Sequence, residues 1–300
     1  MVVFLAIFFV IDRLAGMALN YVSTHPRGGM TAHRNYITDH TNEDILVFGS
    51  SKARYGYNPQ IVTDSTGLTC FNCGEDGSGI ILFYAWWKII SHRYHPKVLI
   101  YDVHPQYDTL EGDNYECLWR LRRFYGRDDI RPLFDSVEPR EKWKMLSMMY
   151  RYNSTFTELA ADFIHPVNSS TPNGYVPRTG RINPNRPMEK PWYDGVALTF
   201  DSLRLACLEK LANEMGPTHL VFVSTPVYFG MNPDTYNPIR ELCTKHDLLF
   251  LDYVNDPDFL MKPDFFNDRN HLSSTGADAF TRRLIKDLRP TLAQWGITDL

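Results

Sequence analysis

Cysteine is scarce and odd in number. The 300 residues contain five, Cys70, Cys73, Cys117, Cys207 and Cys243, so at least one stays unpaired and no dense disulfide framework holds the chain together. Cys70 and Cys73 have C-x-x-C spacing, but no second such pair follows and Cys70 falls inside an apolar run. Both therefore read as small buried hydrophobes, not as zinc or redox ligands. No cluster of His, Asp or Glu has metal-ligand spacing either, so no metal is expected. Glycine-rich phosphate loops are also missing. The first apolar strand is not followed by Gly-x-Gly-x-x-Gly, and Ser50-Ser51-Lys52-Ala53-Arg54 lacks the glycines of a P-loop, so no nucleotide cofactor is expected. Positive charge is not in excess: the formal net charge is -4 and both signs are interleaved along the chain. With no basic stripe to displace the counterions of a polyanion, nucleic acid is excluded as a partner. Internal repeats and low-complexity tracts are absent.

What is present in quantity is apolar surface, 44% of residues, enough for one substantial core carrying a large insertion. The first eleven residues, Met1 to Ile11, are continuously apolar, and after Asp12-Arg13 the pattern resumes through Leu14, Met17 and Leu19. Together they approach the roughly 20 residues that a membrane helix needs, with Asp12 and Arg13 placed toward an interface or paired. No basic n-region precedes the run and no small-x-small cleavage site follows. Residues 1–22 are thus expected to be an uncleaved signal anchor or transmembrane helix, with a removed signal peptide, and hence secretion, as the lesser reading. The plainer alternative is an apolar helix packed on the domain. Residues 23–43 read as a polar linker.

From residue 44 onward short β-branched runs alternate with helical stretches, the pattern of a parallel sheet with crossover helices. Strands are expected at Ile45 to Phe48, Leu68 to Asn72, Lys97 to Val103, His219 to Ser224 and Leu248 to Asp252. Helices are expected at Ile80 to His92, Phe200 to Met215, Pro238 to His246, and from near Ser273 to before Pro290, with Ser273 or Ser274 as its cap. The rhythm breaks between 105 and 196. That segment is rich in Arg, Tyr and Trp, has helical stretches such as Glu141 to Tyr152, and ends in a Pro/Asn/Gly-rich run from Asn168 to Pro187. It reads as a mainly helical insertion or lid inside an α/β domain spanning 44–300. Its Trp119, Tyr125, Trp143, Tyr150 and Tyr152, interspersed with Arg120, Arg122, Arg123 and Arg151, suit either sugar stacking or an ordinary helical subdomain. Trp86 and Trp87 read as core.

In an open parallel sheet, ligands gather outside the carboxyl ends of the strands. Ser51 and His104 follow such ends, Gly77 lies in the turn after the second strand, and Asp268-Arg269-Asn270-His271 lies beyond the last one. A serine hydroxyl is a poor nucleophile until an imidazole takes its proton, and the imidazole needs a carboxylate to fix its tautomer. Asp-x-x-His supplies both partners from one loop. Each residue also has a plainer role: Ser51 as a helix cap, Gly77 as a positive-φ turn residue, and His104 as the end of a strand.

In order and placement these blocks resemble those of the SGNH (GDSL-like) hydrolases, and most closely their membrane-anchored, extracytoplasmic bacterial branch. Gly49-Ser50-Ser51 matches Gly-Asp-Ser, Asn72 to Gly77 matches the glycine block, and Asp268-x-x-His271 matches the last block, whereas Gly-x-Asn-Asp is missing. The resemblance implies a flavodoxin-like three-layer sandwich with about five parallel strands. It implies Ser51 as nucleophile, His271 as general base and then acid, and Asp268 as its orienting carboxylate. The N–H groups of Ser51 and Gly77 are then the oxyanion donors, with His104 or Gln106 in place of the missing asparagine. The expected activity is that of a serine esterase or acyltransferase acting on O-acyl, chiefly O-acetyl, groups of an envelope or extracellular glycan. The expected partners are an acylated carbohydrate or other ester substrate and a membrane. The alternative is a catalytically weak SGNH-like module that binds glycan or serves as a scaffold in the cell envelope.

Overall fold

The computed structural model describes residues 2–167 and 171–298, so the first part of the Pro/Asn/Gly-rich run, Asn168 to Ser170, lies outside the described residues. The chain divides into two units. Among the described residues, the sheet unit comprises 42–83, 94–112 and 171–298, and the helical unit comprises 2–41, 84–93 and 113–167.

In the sheet unit, β1 (Ile45–Gly49), β2 (Cys70–Asn72), β3 (Val98–Asp102), β4 (His219–Ser224) and β5 (Leu249–Asp252) form one parallel sheet in the order β2-β1-β3-β4-β5. This is the flavodoxin-like order, and the fold is α/β as the alternation predicts. The three central strands are apolar through their middle residues because a parallel strand is covered on both faces, with polar residues only at their ends. Alternate residues point to opposite sides. Ile45, Val47, Ile100, Val221 and Val223 join Phe280, Leu284 and Leu288 of the terminal helix Ser274–Gln294 in one core cluster. Phe48, Tyr101 and Phe222 form an aromatic chain with Phe83 on the other side, with ring centroids 5.4–5.8 Å apart.

The terminal helix begins as expected, with Ser273 Oγ accepting from Gly276 N at 3.1 Å. Its end does not follow the expectation. It runs through Pro290 to Gln294. Pro290 and Lys286, four residues earlier, are both exposed, so the carbonyl that loses its donor faces water, while Leu288 and Leu292 keep the apolar side buried.

The helical unit is built around helix Val2–Thr24. The helix is long and apolar enough to cross a membrane by length and composition, and Phe4, Phe8 and Leu14 are each more than half exposed. Its one acid is satisfied: Asp12 accepts from Ser147 Oγ, from Met148 N at 2.9 Å and from Met149 N at 3.2 Å. Residues 23–43 are not a linker. Gly29–Asn35 is a helix continued by a π-helical turn, Tyr36–His40, which buries Thr31, His33, Asn35, Ile37 and Thr38. Polar residues hide this burial from a hydropathy reading, and two of them are internally bonded: Asn35 Nδ2 donates to Ser23 O at 2.7 Å and Thr38 Oγ1 to Arg34 O at 3.0 Å.

The insertion expected over 105–196 is divided differently. Residues 113–167 belong to the helical unit, whereas 105–112 and 171–196 belong to the sheet unit. The helix expected from Glu141 to Tyr152 is two short turns, Glu141–Lys144 and Met149–Tyr152. Glu141 is fully buried and accepts from Tyr115 Oη at 2.5 Å and Lys144 Nζ at 2.7 Å, with Arg122 at 3.4 Å. That cluster fixes the chain path in place of a continuous helix. It also spends Arg122 and Tyr150 on internal structure, not on a sugar platform.

Candidate active site

Strand β1 ends at Gly49, which has φ 142°. An added Cβ there meets Asp102 O at 2.7 Å and Ala53 Cβ at 2.9 Å, so only glycine brings the chain into the tight turn that follows. Ser50 caps the short helix Ser51–Gly56, its Oγ accepting from Lys52 N at 3.4 Å. The capping role weighed for Ser51 is thus filled by its neighbour. Ser51 Oγ is turned to the imidazole and lies 2.8 Å from His271 Nε2.

Behind the ring, His271 Nδ1 is 3.0 and 2.9 Å from the two oxygens of Asp268. The Asp268-x-x-His271 loop closes on itself, because Asp268 Oδ1 also accepts from Asn270 N and His271 N, each at 2.9 Å. Partial burial works to raise the Asp268 pKa, but the His271 bond and charge, with the Asn270 and Asn267 bonds, outweigh it. The carboxyl is held well below the usual carboxylate range. An ionised carboxylate thus faces Nδ1 and leaves Nε2 to the serine.

The turn that carries Gly77 is tied to the same strand end, since Glu75 N donates to Gly49 O at 3.1 Å. Gly77 has φ 63° with open space where a Cβ belongs, so backbone conformation and not crowding selects glycine there. Of the two side-chain donors expected after β3, His104 is the buried one. It is 2% exposed, and burial, Lys52 and His271 together hold its pKa well below that of an ordinary histidine. It is therefore neutral, and its Nδ1 is buried without a hydrogen-bond partner. Gln106 is exposed, and what it contributes is a backbone oxygen that accepts from Arg204 at 2.6 Å.

Several residues at this site were not singled out in the sequence. Lys52, beside Ser51, is buried, and its Nζ donates to Thr225 O at 2.7 Å; burial lowers its pKa against the pull of Asp102. Asp102 accepts from Tyr57 Oη at 3.0 Å and Thr225 Oγ1 at 2.6 Å. This polar floor lies under the turn. Tyr55 packs its ring edge-on to His271 at 5.4 Å, and the Arg178 guanidinium lies 3.8 Å over the Tyr55 ring. Tyr55 was within reach of sequence reasoning, being four residues after Ser51 and so on the same helical face. Arg178 was not. It lies on an irregular strap pinned to the sheet unit by backbone bonds, Val176 N to Arg54 O, Ser274 N to Arg178 O and Ile182 N to Phe266 O.

No family model and no curated protein matches the chain. Solved structures similar to it include a Streptococcus pneumoniae protein provisionally described as a platelet activating factor, with 14% identity, coverage of 97% of each chain and a TM-score of 0.42. A second is an acetylxylan esterase from Geobacillus stearothermophilus, with 13% identity over 84% of this chain and 96% of that one and a TM-score of 0.41. A third is a Desulfitobacterium hafniense protein provisionally described as lipolytic and of the G-D-S-L family, with 11% identity over 81% and 98% and a TM-score of 0.36. At these identities and TM-scores nothing of their activity carries across to this chain.

Proposed function

We propose that the chain is an SGNH-type serine hydrolase: an esterase, or a related acyltransferase, acting on O-acyl groups of an envelope or extracellular glycan. Ser51 Oγ attacks the ester carbonyl carbon while its proton passes to His271 Nε2, and Asp268 holds the imidazolium. The oxyanion of the tetrahedral intermediate is met by the N–H groups of Ser51 and Gly77 and by neutral His104 in place of the missing asparagine. His271 then returns the proton to the leaving sugar oxygen, and acyl-Ser51 remains. Water or a second sugar hydroxyl, deprotonated by His271, takes the acyl group and frees Ser51. No metal or cofactor is needed for these steps. The strap at 171–196 forms part of the substrate-facing wall, and helix Val2–Thr24 holds the chain at a membrane with the site on the extracytoplasmic side.

The observation that carries the reading is the 2.8 Å approach of Ser51 Oγ to an imidazole whose other nitrogen is engaged by Asp268. The full chain, solubilised in neutral detergent, is expected to hydrolyse 4-nitrophenyl acetate, to be labelled by a fluorophosphonate at near-neutral pH, and to lose both properties in Ser51→Ala. Equal rates in the two proteins, or a well-folded wild type that takes no label, reject the enzyme and leave a glycan-binding or scaffold module.

A further inference from the structure

Four arginines lie on the strap and the catalytic loop, and three of them are spent on carboxylates. Arg181 pairs with Asp264 at 2.7 Å, Arg186 with Glu189 at 2.6 Å, and Arg269 also with Glu189. Among the described residues the fourth, Arg178, is in no ion pair. Its side chain is partly exposed, and its guanidinium lies 3.8 Å over the Tyr55 ring. Burial and Asp76 raise the Tyr55 pKa, and an Arg178 bond to the hydroxyl opposes them, so this polar partner of Arg178 is a neutral phenol. Asp76, the carboxylate at that hydroxyl, is ion-paired with Arg54 at 3.7 Å.

The strap holds this cation at the site. Val176 N donates to Arg54 O at 3.2 Å and Ser274 N to Arg178 O at 2.6 Å, which ties Arg178 both to the helix that carries Ser51 and to the segment just after His271. Tyr55 in turn packs edge-on to His271, so one aromatic ring links the guanidinium to the imidazole that serves Ser51. A sugar whose ester carbonyl sits at Ser51 extends its ring substituents over a similar span. A guanidinium stacked on an aromatic face keeps N–H groups along its rim for other acceptors, and a parallel pair of them matches the two oxygens of a carboxylate. We infer, on the reading of Ser51 as nucleophile, that Arg178 selects a carboxylate on the sugar that bears the ester, so that the substrate is an O-acylated acidic glycan of the uronic type and not a neutral one.

Titration calorimetry on the full chain with Ser51→Ala, which binds without turnover, tests this in neutral detergent. The probes are methyl tri-O-acetylglucopyranosiduronic acid, its uronamide, and the acetylated glucoside carrying a methyl phosphodiester on its primary carbon. The acid is expected to bind at least tenfold more tightly than the uronamide, and Arg178→Gln to bring the two within about twofold. Arg178→Lys keeps the charge and loses the fork; it is expected to cut the preference at least threefold, and it stands in if the Gln variant does not fold. Arg181→Gln removes a paired arginine of the same strap and is expected to keep the preference. No binding of the acid, equal affinity for acid and uronamide, a preference that neither Arg178 variant lowers, or an equal loss in Arg181→Gln overturns the assignment. Tighter binding of the phosphodiester than of the acid keeps Arg178 as the anion contact and overturns the carboxylate. Fluorophosphonate labelling of the chain with Ser51 intact reports separately on the nucleophile. A labelled chain without the preference loses the substrate class alone, whereas an unlabelled chain that prefers the acid through Arg178 loses the serine chemistry and keeps the carboxylate contact.

Discussion

At His104 the chain departs from the motif pattern it otherwise resembles. An asparagine amide and a neutral imidazole each offer an N–H, and burial beside Lys52 and His271 keeps this imidazole neutral. An oxyanion donor is typically worth about 3 kcal/mol, or 10²–10³ in rate. His104→Leu is accordingly expected to lower kcat about a hundredfold with KM little changed, while Gln106→Ala leaves both unaltered. Steady-state kinetics on 4-nitrophenyl acetate, with thermal melts to check folding, decide it; equal kcat in His104→Leu removes His104 from the hole. A second residue-scale prediction concerns Asp108, whose pKa burial pushes up to about 7 although Tyr101 Oη at 2.7 Å and His104 N at 2.6 Å donate to it. Between about pH 4 and 7 the unfolded chain has lost this proton and the native chain keeps it, so stability falls as pH rises, by at most about 1.4 kcal/mol per pH unit. Asp108→Asn is expected to flatten that part of a urea-midpoint profile, and an unchanged slope assigns the pH dependence elsewhere. The triad was legible in sequence because each member sits in a short local motif. Arg178 and Lys52 were not, since one reaches the site on an irregular strap and the other is a cation that the fold buries against Thr225 O.

Strands were the elements easiest to read, because burial on both faces of the central ones makes their middle residues a continuous apolar run with polar residues only at the ends. Helical polar segments were harder. Gly29–Asn35 buries Thr31, His33 and Asn35, and the terminal helix passes a proline, so hydropathy and the usual stop signal both mislead. The terminal helix is nonetheless the element on which the sheet's first face depends. Phe280 is fully buried and lies edge-on to Tyr57, Tyr253 and Phe259 at 5.4–5.9 Å. Phe280→Ala is expected to cost about 3–5 kcal/mol, the usual range for emptying an aromatic site, read as a lower urea midpoint. A loss below 1 kcal/mol shows that the helix repacks. Gly49→Ala is expected to act differently: its clash with Asp102 O displaces the turn that sets Ser51, so fluorophosphonate labelling falls more than stability does. If stability falls and labelling of the folded fraction does not, Gly49 is a folding residue only.

For the molecule as a whole, the consequence of the two-unit division is that the apolar helix is not a detachable tether. Asp12 is bonded by Ser147, Met148 and Met149, and Asn20 Oδ1 accepts from Tyr152 Oη at 2.8 Å, so the helix is part of the helical unit that 113–167 completes. The reading of 1–22 as an anchor and 23–43 as a linker separates what the fold joins, because the residues that satisfy Asp12 lie about 135 positions away in sequence. Membrane attachment and internal docking are therefore expected to separate by mutation. The wild-type chain, with its large exposed apolar side chains on this helix, is expected to stay with membranes through alkaline carbonate extraction. Asp12→Leu leaves that partition unchanged or stronger, since it removes a charge from an apolar segment. The same change strips the acceptor from two backbone N–H groups and a hydroxyl, each costing roughly 1–3 kcal/mol if left buried. Limited proteolysis is then expected to cut within 145–152 at least tenfold faster in Asp12→Leu than in wild type. Equal cleavage rates mean that the Asp12 bonds do not hold this segment, and release of the wild type by carbonate means that the helix does not anchor the chain.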